Sequence, residues 1–273
     1  MPSGPDEQTS LAATLSGNQT SGDKRPSLLR ALRLWWRETS QREGQVASLG
    51  RLLRLLREFL RDGTPERRRQ RYGDVDYDWD YRVDTTSATV SWRARLIGLL
   101  HSPYQPTDPA LFREMLTSLL QAAPEIDLRE FTFIDVGSGK GRALLMASDY
   151  PFRRILGIEL LPELHRVAQE NIARYKSDSQ QCFAAESICG DARNLVFPPE
   201  PMVLYLFKPL PEAGLVELLK TLEDSLREHP RAVYVVYHNP LLADAMVARS
   251  GFRKLMSTHQ YVLYRQDPGA GPV

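Results

Sequence analysis

The feature that most constrains the fold of this chain is an apolar run that leads directly into a glycine-rich turn. Residues 131–136 are mostly apolar, and the sequence Gly-Ser-Gly-Lys-Gly (137–141) follows them before a helical pattern begins. Glycine is favoured where a ligand approaches the backbone closely or where φ is positive. The first N–H groups of the following helix, together with its dipole, favour an anionic group. The motif therefore predicts a buried strand that ends in a ligand-binding turn.

Strands and helices alternate along the chain from residue 130 onward. The predicted strands are 131–136, 154–159, 182–189, 203–207, 232–238, 252–258 and 260–265. The predicted helices are 109–121, 141–149, 162–176, 212–228 and 241–250. Such alternation is typical of a parallel sheet with helices on both faces, but the last two strands are too close together for a crossover helix and must form a hairpin. We therefore expect an α/β fold: a doubly wound, seven-stranded sheet with a terminal antiparallel hairpin, preceded by an N-terminal helical extension.

Composition divides the chain into five stretches. Residues 1–25 are rich in small polar residues and are predicted to be disordered, whereas 26–72 are predicted to form a basic amphipathic helical extension. Residues 73–110 are expected to connect this extension to the sheet domain and could act as a lid. Residues 111–266 are expected to form the sheet domain, and 267–273 a tail.

Charge is spread unevenly along the chain. The net charge is +1, but residues 1–72 carry +6 and the remainder carries −5. The basic extension could pack on the sheet domain, dock a partner protein, or lie on an anionic membrane or nucleic acid. Packing is the most common role of such helices, and we do not expect nucleic acid as a partner because no RNA-binding signature is present.

Segment 76–81 alternates acidic and aromatic residues (Asp-Tyr-Asp-Trp-Asp-Tyr) and predicts no regular helix. If the segment folded over a pocket, Tyr77, Trp79 and Tyr81 could form a lid or stack on a cationic ligand. The simpler alternative is that the segment packs on the sheet domain.

Membrane-spanning and metal-binding proteins are classes that the sequence does not favour. It contains no run of about 18 apolar residues, and its N-terminal residues do not resemble a secretory signal. Cys182 and Cys189 do not form a CxxC pair, and the five histidines are scattered. We therefore expect a cytoplasmic protein that uses no metal.

Asp135 distinguishes two kinds of ligand for the glycine turn. It stands two residues before the first glycine, where its carboxylate can meet the ammonium group of a ligand; a nicotinamide dinucleotide has no such group. The glycine spacing is GxGxG, whereas dinucleotide-binding proteins have GxGxxG, and the terminal hairpin is not expected in a dehydrogenase. A nicotinamide-dependent oxidoreductase is thus the weaker hypothesis.

Residues from about 100 to 266 resemble the class I S-adenosylmethionine-dependent methyltransferases, most specifically in the motif at 133–142. The resemblance implies S-adenosylmethionine as the cofactor, with its methionine carboxylate at the helix start. It also implies that Glu159 accepts hydrogen bonds from both ribose hydroxyls, and that Asp191 and the next N–H bind the adenine. The expected cofactor-binding residues are Tyr104, Thr107, Asp135, Gly137, Ser138, Gly139, Gly141, Glu159, Asp191, Ala192 and Phe207.

The sequence Tyr-Gln-Pro-Thr (104–107) extends the resemblance upstream. It is similar to the Tyr/Phe-x-Pro-Thr element of lysine methyltransferases that lack a SET domain and of bacterial relatives of unknown substrate. In those relatives the element lies over the methionine end of the cofactor. The alternative is a proline-rich loop in which Thr107 caps a helix.

The chain departs from the family pattern after the fourth strand. Amine-modifying relatives often have Asn/Asp-Pro-Pro-Tyr/Phe there, but Lys208 occupies the first position in this chain. An ammonium group cannot accept a hydrogen bond from a target amine, so adenine and glutamine nitrogens are doubtful acceptors. Lys208 could attract an acidic or carbonyl-bearing substrate, or could be a surface residue. The candidate catalytic residues are Lys208, His238 and Tyr205, although core packing is the favoured role of Tyr205.

The function expected from the sequence is methyl transfer from S-adenosylmethionine. A protein side chain is slightly preferred over a small molecule as acceptor, because of the Tyr-Gln-Pro-Thr element. The alternative is a non-catalytic protein that binds S-adenosylmethionine or acts as a scaffold, which would retain Asp135, Glu159 and the glycines but have no acceptor pocket.

Overall fold

The computed structural model describes residues 28–62, 75–86, 104–207, 210, 212–240 and 251–266. The helices are α1 (Leu28–Glu43), α2 (Gln45–Asp62), α3 (Val75–Tyr81), α4 (Pro109–Ala122), α5 (Arg142–Ala147), α6 (Pro162–Arg174) and α7 (Glu212–Glu228). The strands are β1 (Thr132–Val136), β2 (Arg154–Glu159), β3 (Ala185–Cys189), β4 (Met202–Phe207), β5 (Val233–His238), β6 (Arg253–Ser257) and β7 (Tyr261–Gln266).

The strands form one seven-stranded sheet in the order β3-β2-β1-β4-β5-β7-β6. Strands β1 to β5 pair in parallel, and β7 pairs antiparallel with both β5 and β6. The expected sheet and its terminal hairpin are therefore confirmed. The third strand starts later than expected because the N–H groups of Gln181 and Cys182 bond to the carbonyl oxygen of Ser148 and not to β2.

Both faces of the sheet are covered by helices, as expected for a doubly wound fold. One face packs against α4 and α5, and its buried cluster includes Phe112, Met115, Leu116, Phe133, Leu144, Val203 and Val236. The other face packs against α7, and its cluster includes Ile134, Leu204, Leu215, Leu218, Leu219, Leu222 and Val235. Since successive residues of a strand point to opposite faces, Phe133 and Ile134 of β1 fall into different clusters.

The N-terminal extension contains the helices α1 and α2 in its described part. They meet at Gly44, whose φ of 84° allows a sharp change of direction. Val46, Leu49 and Leu53 of α2 are exposed, so this face of the helix is not covered by the residues that the structure describes. None of the described helices combines the length and the apolar character needed to cross a lipid bilayer.

Helix α3 corrects one expectation, because segment 76–81 was predicted to contain no regular helix. The alternation of acids and aromatics hides a helical spacing: Tyr77 and Tyr81 are four residues apart, and their ring centroids lie 4.8 Å from each other. Asp76 and Asp78 lie in the first turn, where the helix dipole favours acids. Both tyrosines also pack with Val83 and Leu145 in a small cluster.

Packing of α3 on the sheet domain is the arrangement that the structure shows for this segment. The ring of Tyr81 lies 5.1 Å from that of Tyr175, just after α6, whereas Trp79 is 82% exposed. Tyr77 and Tyr81 therefore anchor the segment to the sheet domain, and the lid stays a prediction. Other expectations lie outside the described residues: those for the tails 1–25 and 267–273, the helix 241–250 and Lys208.

Truncation of Leu222 to alanine should destabilise the fold without touching the glycine turn. Leu222 is completely buried on the α7 face, and buried leucine-to-alanine changes cost about 2–5 kcal/mol. Urea titration followed by circular dichroism should show this loss of unfolding free energy. The matched Leu53→Ala, at an exposed position, should change it by less than about 0.5 kcal/mol; equal losses would contradict the described burial.

Candidate functional site

The turn after β1 crosses to the end of β2. Gly137 and Ser138 donate their N–H groups to the carbonyl oxygen of Ile158, at 2.9 and 3.0 Å, and Gly141 donates to Ser138 at 2.8 Å. Gly139 and Gly141 have φ values of 57° and 85°, in the left-handed region that side chains other than glycine rarely adopt. The glycines therefore allow the chain to reverse beside the end of β2.

Four of the backbone donors of this turn are used inside the protein. The N–H groups of Gly137, Ser138 and Gly141 bond to backbone oxygens, and that of Gly139 bonds to Glu159. The helix that follows, α5, has only six residues. The polar character of the site thus comes mainly from the acids beside the turn and less from the helix start that the sequence suggested.

Asp135 lies near the end of β1 and is 4% exposed. None of the described residues donates a hydrogen bond to its carboxylate. Burial, with a smaller contribution from the negative charge of Glu159, raises the pKa of Asp135 to about 8. A buried carboxylate without a partner is unfavourable, so a cationic ligand would be stabilised strongly at this position.

Glu159 ends β2 on the other side of the turn. Its Oε2 accepts the N–H of Gly139 at 2.8 Å, and its Oε1 accepts the N–H of Leu161 at 2.8 Å. Burial raises the pKa of Glu159, and these two backbone hydrogen bonds oppose the rise. Each carboxylate oxygen has a second lone pair, so Glu159 is able to accept a ligand hydroxyl as well.

The ring of Tyr104 lies against the turn, and its expected contact with the cofactor stays a prediction. An added Cβ on Gly139 would overlap the ring of Tyr104. The hydroxyl of Tyr104 donates to the carbonyl oxygen of Thr85 at 2.5 Å. The absence of a side chain at Gly139 therefore allows the aromatic ring to cover this part of the turn.

A buried hydrogen-bonded chain links Thr107 to the end of β5. The hydroxyls of Thr107 and Tyr205 are 2.9 Å apart, and Tyr205 Oη is 2.9 Å from Nδ1 of His238. Tyr205 is also the register partner of Asp135 on the neighbouring strand. Burial raises the pKa of Tyr205 well above its usual value, and the charge of Asp135 adds to the rise while the bond to Thr107 opposes it. Tyr205 thus has the expected core position together with a polar role that packing alone does not require.

Phe207 stacks on the imidazole ring of His238, with ring centroids 3.9 Å apart and planes at 16°. Both residues lie at the carboxyl ends of adjacent parallel strands, β4 and β5. This is the edge of an α/β sheet at which ligands generally bind. The structure therefore places Phe207, Tyr205 and His238 together, with Tyr205 beside Asp135.

Asp191 lies just after β3, and its carboxylate is engaged by Arg193. Asp191 Oδ1 accepts the backbone N–H and the Nε–H of Arg193, each at 3.0 Å. Ala192 is buried in the cluster that packs against α7. Their expected contacts with adenine remain predictions.

Lys140 and Arg142 were not among the expected site residues, although both lie in the glycine motif. Both are buried and bond to residues 78–86. A signal was available, because the buried motif contains two cations and the segment 76–85 contains acids that can pair with them. The periodicity of the segment gave no indication of which acids would do so.

Ser138 lies at the same turn as Asp135. Its Oγ is buried and has no hydrogen-bond partner among the described residues. Most buried polar atoms in native structures are hydrogen-bonded, so this hydroxyl could still bond to a ligand. A ligand with an ammonium group and hydroxyls fits Asp135 and Glu159 in charge and hydrogen-bonding capacity. Within the described parts of the chain, no three His, Cys, Asp or Glu side chains are grouped so as to hold a metal ion.

The position of β7 decides the fold, because β7 is inserted antiparallel between β5 and β6. This is the fold of the class I methyltransferases. The dinucleotide-binding fold of oxidoreductases instead has the strand order 3-2-1-4-5-6, which does not match the hairpin end of this sheet.

Comparisons of the sequence give no further assignment: no protein-family model matches it, and no curated protein matches it significantly. Comparisons of the structure find methyltransferases. One is a ribosomal protein L11 methylase from Lactobacillus delbrueckii subsp. bulgaricus, at 16% identity and a TM-score of 0.40, with 57% of this chain and 78% of that chain covered.

Two other solved structures are named for RNA. An RNA methyltransferase from Salinibacter ruber in complex with S-adenosyl-L-homocysteine has 22% identity and a TM-score of 0.37, with 62% and 97% of the two chains covered. An rRNA methylase from Streptococcus thermophilus has 12% identity and a TM-score of 0.38, with 60% and 99% covered. Similarity at this level does not identify an acceptor, and the expectation that nucleic acid is not a partner finds no support.

Replacement of Asp135 by asparagine should stabilise the protein increasingly as pH rises. The unfolded carboxyl has a pKa of about 3.9, whereas the folded one is raised to about 8. Between these values the folded state binds the additional proton, so wild-type stability falls with rising pH, by at most about 1.4 kcal/mol per pH unit. Asparagine does not ionise and escapes this loss.

Urea titrations of the wild type and Asp135→Asn at several pH values between about 5 and 7.5 measure this effect. The difference in unfolding free energy between the two proteins should widen with pH. A constant difference would show that Asp135 is already paired or solvated in the ligand-free protein.

Proposed function

We propose that this protein transfers a methyl group from S-adenosylmethionine to an acceptor molecule. The observation that carries the proposal is the pair Asp135 and Glu159, two buried acids at the ends of adjacent strands on either side of a glycine turn. A ligand that presents an ammonium group and two hydroxyls would satisfy both. The methyltransferase fold of the sheet supports the same ligand.

Each acid has a distinct task in binding the cofactor. Asp135, unpaired among the described residues, would hold the ammonium group, and the resulting ion pair would lower the pKa of its carboxyl. Glu159 would accept the ribose hydroxyls while its bond from Gly139 keeps the turn in place. Tyr104 would cover the turn from the side of Gly139. We retain Asp191 and Ala192 as the proposed adenine contacts.

When bound, S-adenosylmethionine supplies an electrophilic methyl group on a good leaving group, so alignment and exclusion of water are the protein's main contributions. A base is needed only for an acceptor that arrives protonated. His238 is suited to this task because Tyr205 and Thr107 fix its ring. If Tyr205 donates to Thr107 and accepts from Nδ1–H of His238, the lone pair of the imidazole is on Nε2.

The acceptor remains a proposal at the level of class. We prefer a protein side chain over a small molecule, on the Tyr-Gln-Pro-Thr element, and RNA stays open. A non-catalytic protein that binds S-adenosylmethionine would also keep Asp135 and Glu159. The buried Thr107–Tyr205–His238 chain favours the enzyme, because a binding protein does not need an oriented imidazole at the end of β5. We expect the protein to act in the cytoplasm.

Calorimetric titration with S-adenosylhomocysteine tests cofactor binding. The wild type should bind with micromolar affinity, corresponding to about −8 kcal/mol. A double variant, Asp135→Ala with Gly139→Arg, should not bind, because it loses the proposed ammonium partner and fills the turn. A folded wild type that fails to bind would refute the proposed cofactor.

Replacement of His238 by asparagine should separate catalysis from binding. Methyl transfer from labelled S-adenosylmethionine to a macromolecular or small acceptor in an extract of the source organism should fall about 100-fold or more. Affinity for S-adenosylhomocysteine should change little, because His238 is proposed to contact the acceptor side. The control His259→Asn changes an exposed histidine of the β6–β7 hairpin and should leave the rate unaltered. Wild-type binding without a methylated product in any fraction would favour the non-catalytic alternative.

A further inference from the structure

Two buried cations flank Gly141 in the glycine turn. Lys140 is 1% exposed and Arg142 is 2% exposed. Removing one partner of a buried ion pair is strongly destabilising, because the remaining charge is left uncompensated. The conformation of the turn therefore depends on the groups that neutralise these two side chains.

Residues of α3 and of the segment after it supply partners for both side chains. Nζ of Lys140 donates to Asp84 Oδ1 at 2.7 Å and to the carbonyl oxygen of Thr86 at 2.9 Å. Nε of Arg142 donates to Thr85 Oγ1 at 2.6 Å, and its Nη2 to Asp78 Oδ1 at 3.2 Å. We call residues 75–86 the clasp, since both cations of the turn are held by it.

Asp78 also forms hydrogen bonds within the clasp, which join its helix to the residues that follow. The carboxylate of Asp78 accepts the N–H groups of Thr85 and Thr86 at 2.7 and 2.9 Å, and also the hydroxyl of Thr85. The guanidinium of Arg142 lies 4.9 Å from the centre of the Tyr77 ring, within the range of a cation–π contact. Asp78 therefore both shapes the clasp and pairs with the turn.

Asn171 of α6 forms hydrogen bonds to both the clasp and the turn. Its Nδ2 donates to the carbonyl oxygens of Asp84 and Lys140, at 2.8 and 2.9 Å, and its Oδ1 accepts the N–H of Asp84 at 2.8 Å. One fully buried amide thus joins the clasp directly to the backbone of the turn. Tyr104 makes another link, with its hydroxyl on Thr85 and its ring against Gly139.

We propose that the clasp determines cofactor affinity, with Asp78 and Asp84 as positioning residues for the glycine turn. This inference rests on the function proposed above. Neither acid needs to touch the cofactor. Asp78 and Asp84 hold the two cations, and the part of the turn between β1 and these cations presents Gly139 to Glu159. Loss of either acid would remove a charged contact that holds one of these buried cations in place, and we expect the turn to be held less firmly as a result.

The experiment measures the Kd of S-adenosylhomocysteine for full-length Asp78→Asn and Asp84→Asn variants. Asparagine keeps the shape and removes the charge. We expect the Kd of each to rise about tenfold or more relative to the wild type, equivalent to about 1.4 kcal/mol. Asp84→Glu keeps the negative charge, and the side chain of Lys140 has enough rotatable bonds to adjust to the longer acid. This variant should therefore retain most of the affinity.

Matched variants separate positioning from stability. Asp76→Asn and Asp80→Asn change exposed acids of the same helix and should bind like the wild type. Leu222→Ala lowers stability from the opposite face of the sheet and should leave the Kd unchanged while the protein is folded. Unaltered affinity in Asp78→Asn and Asp84→Asn, beside a wild type that binds, would overturn the inference.

A measurement without ligand distinguishes failure of the clasp from failure of the proposed function. Hydrogen exchange of the backbone amides of residues 137–142 should be faster in Asp84→Asn than in the wild type and in Asp80→Asn. If the wild type does not bind S-adenosylhomocysteine, the proposed function fails and the affinity claim fails with it. If exchange at the turn is unchanged, the clasp does not hold the turn, whatever the protein binds.

Discussion

Two positive charges buried beside Gly141 determine much of the arrangement around them. Lys140 and Arg142 lie in a motif that must also accommodate a sharp backbone reversal, and burial of their charges requires acids from elsewhere in the chain. The clasp supplies those acids. The buried amide of Asn171 then joins α6 to the same cluster. The local conformation of residues 137–142 thus depends on groups from two other segments, the clasp and α6.

The site has two ends with different electrostatic character. Near the turn, Asp135 and Glu159 are both buried acids, and each has a raised pKa because water is largely excluded. Near the ends of β4 and β5, the groups are hydrogen-bonding and aromatic side chains, namely Tyr205, Phe207 and His238. Asp135 and Tyr205 are register partners, so the sheet itself sets the distance between the two ends. A ligand that reaches from one to the other passes over the centre of the sheet edge.

Local sequence patterns were sufficient to predict the sheet. Apolar strands, glycine spacing and the short interval before the last strand predicted the sheet, and parallel strands bring Asp135 and Glu159 to one edge. Helix α3 was missed because its stabilising contact, between Tyr77 and Tyr81, is hidden in an alternating pattern. The bond between Thr107 and Tyr205 joins residues 98 positions apart. Periodicity contains no information about such a pairing, and the same holds for the partners of Lys140 and Arg142.

The clasp also bears on where an independently folding fragment of this chain can begin. Composition predicts a boundary near residue 110, and the described strands all lie after it. Yet the ion pairs of the turn join positions 56 and 64 residues apart and cross that boundary. A fragment that began at residue 111 would contain every strand but would lose both carboxylates and Tyr104. A fragment that retains these ion pairs of the glycine turn must therefore start no later than α3, and residues 75–86 pack on the sheet domain.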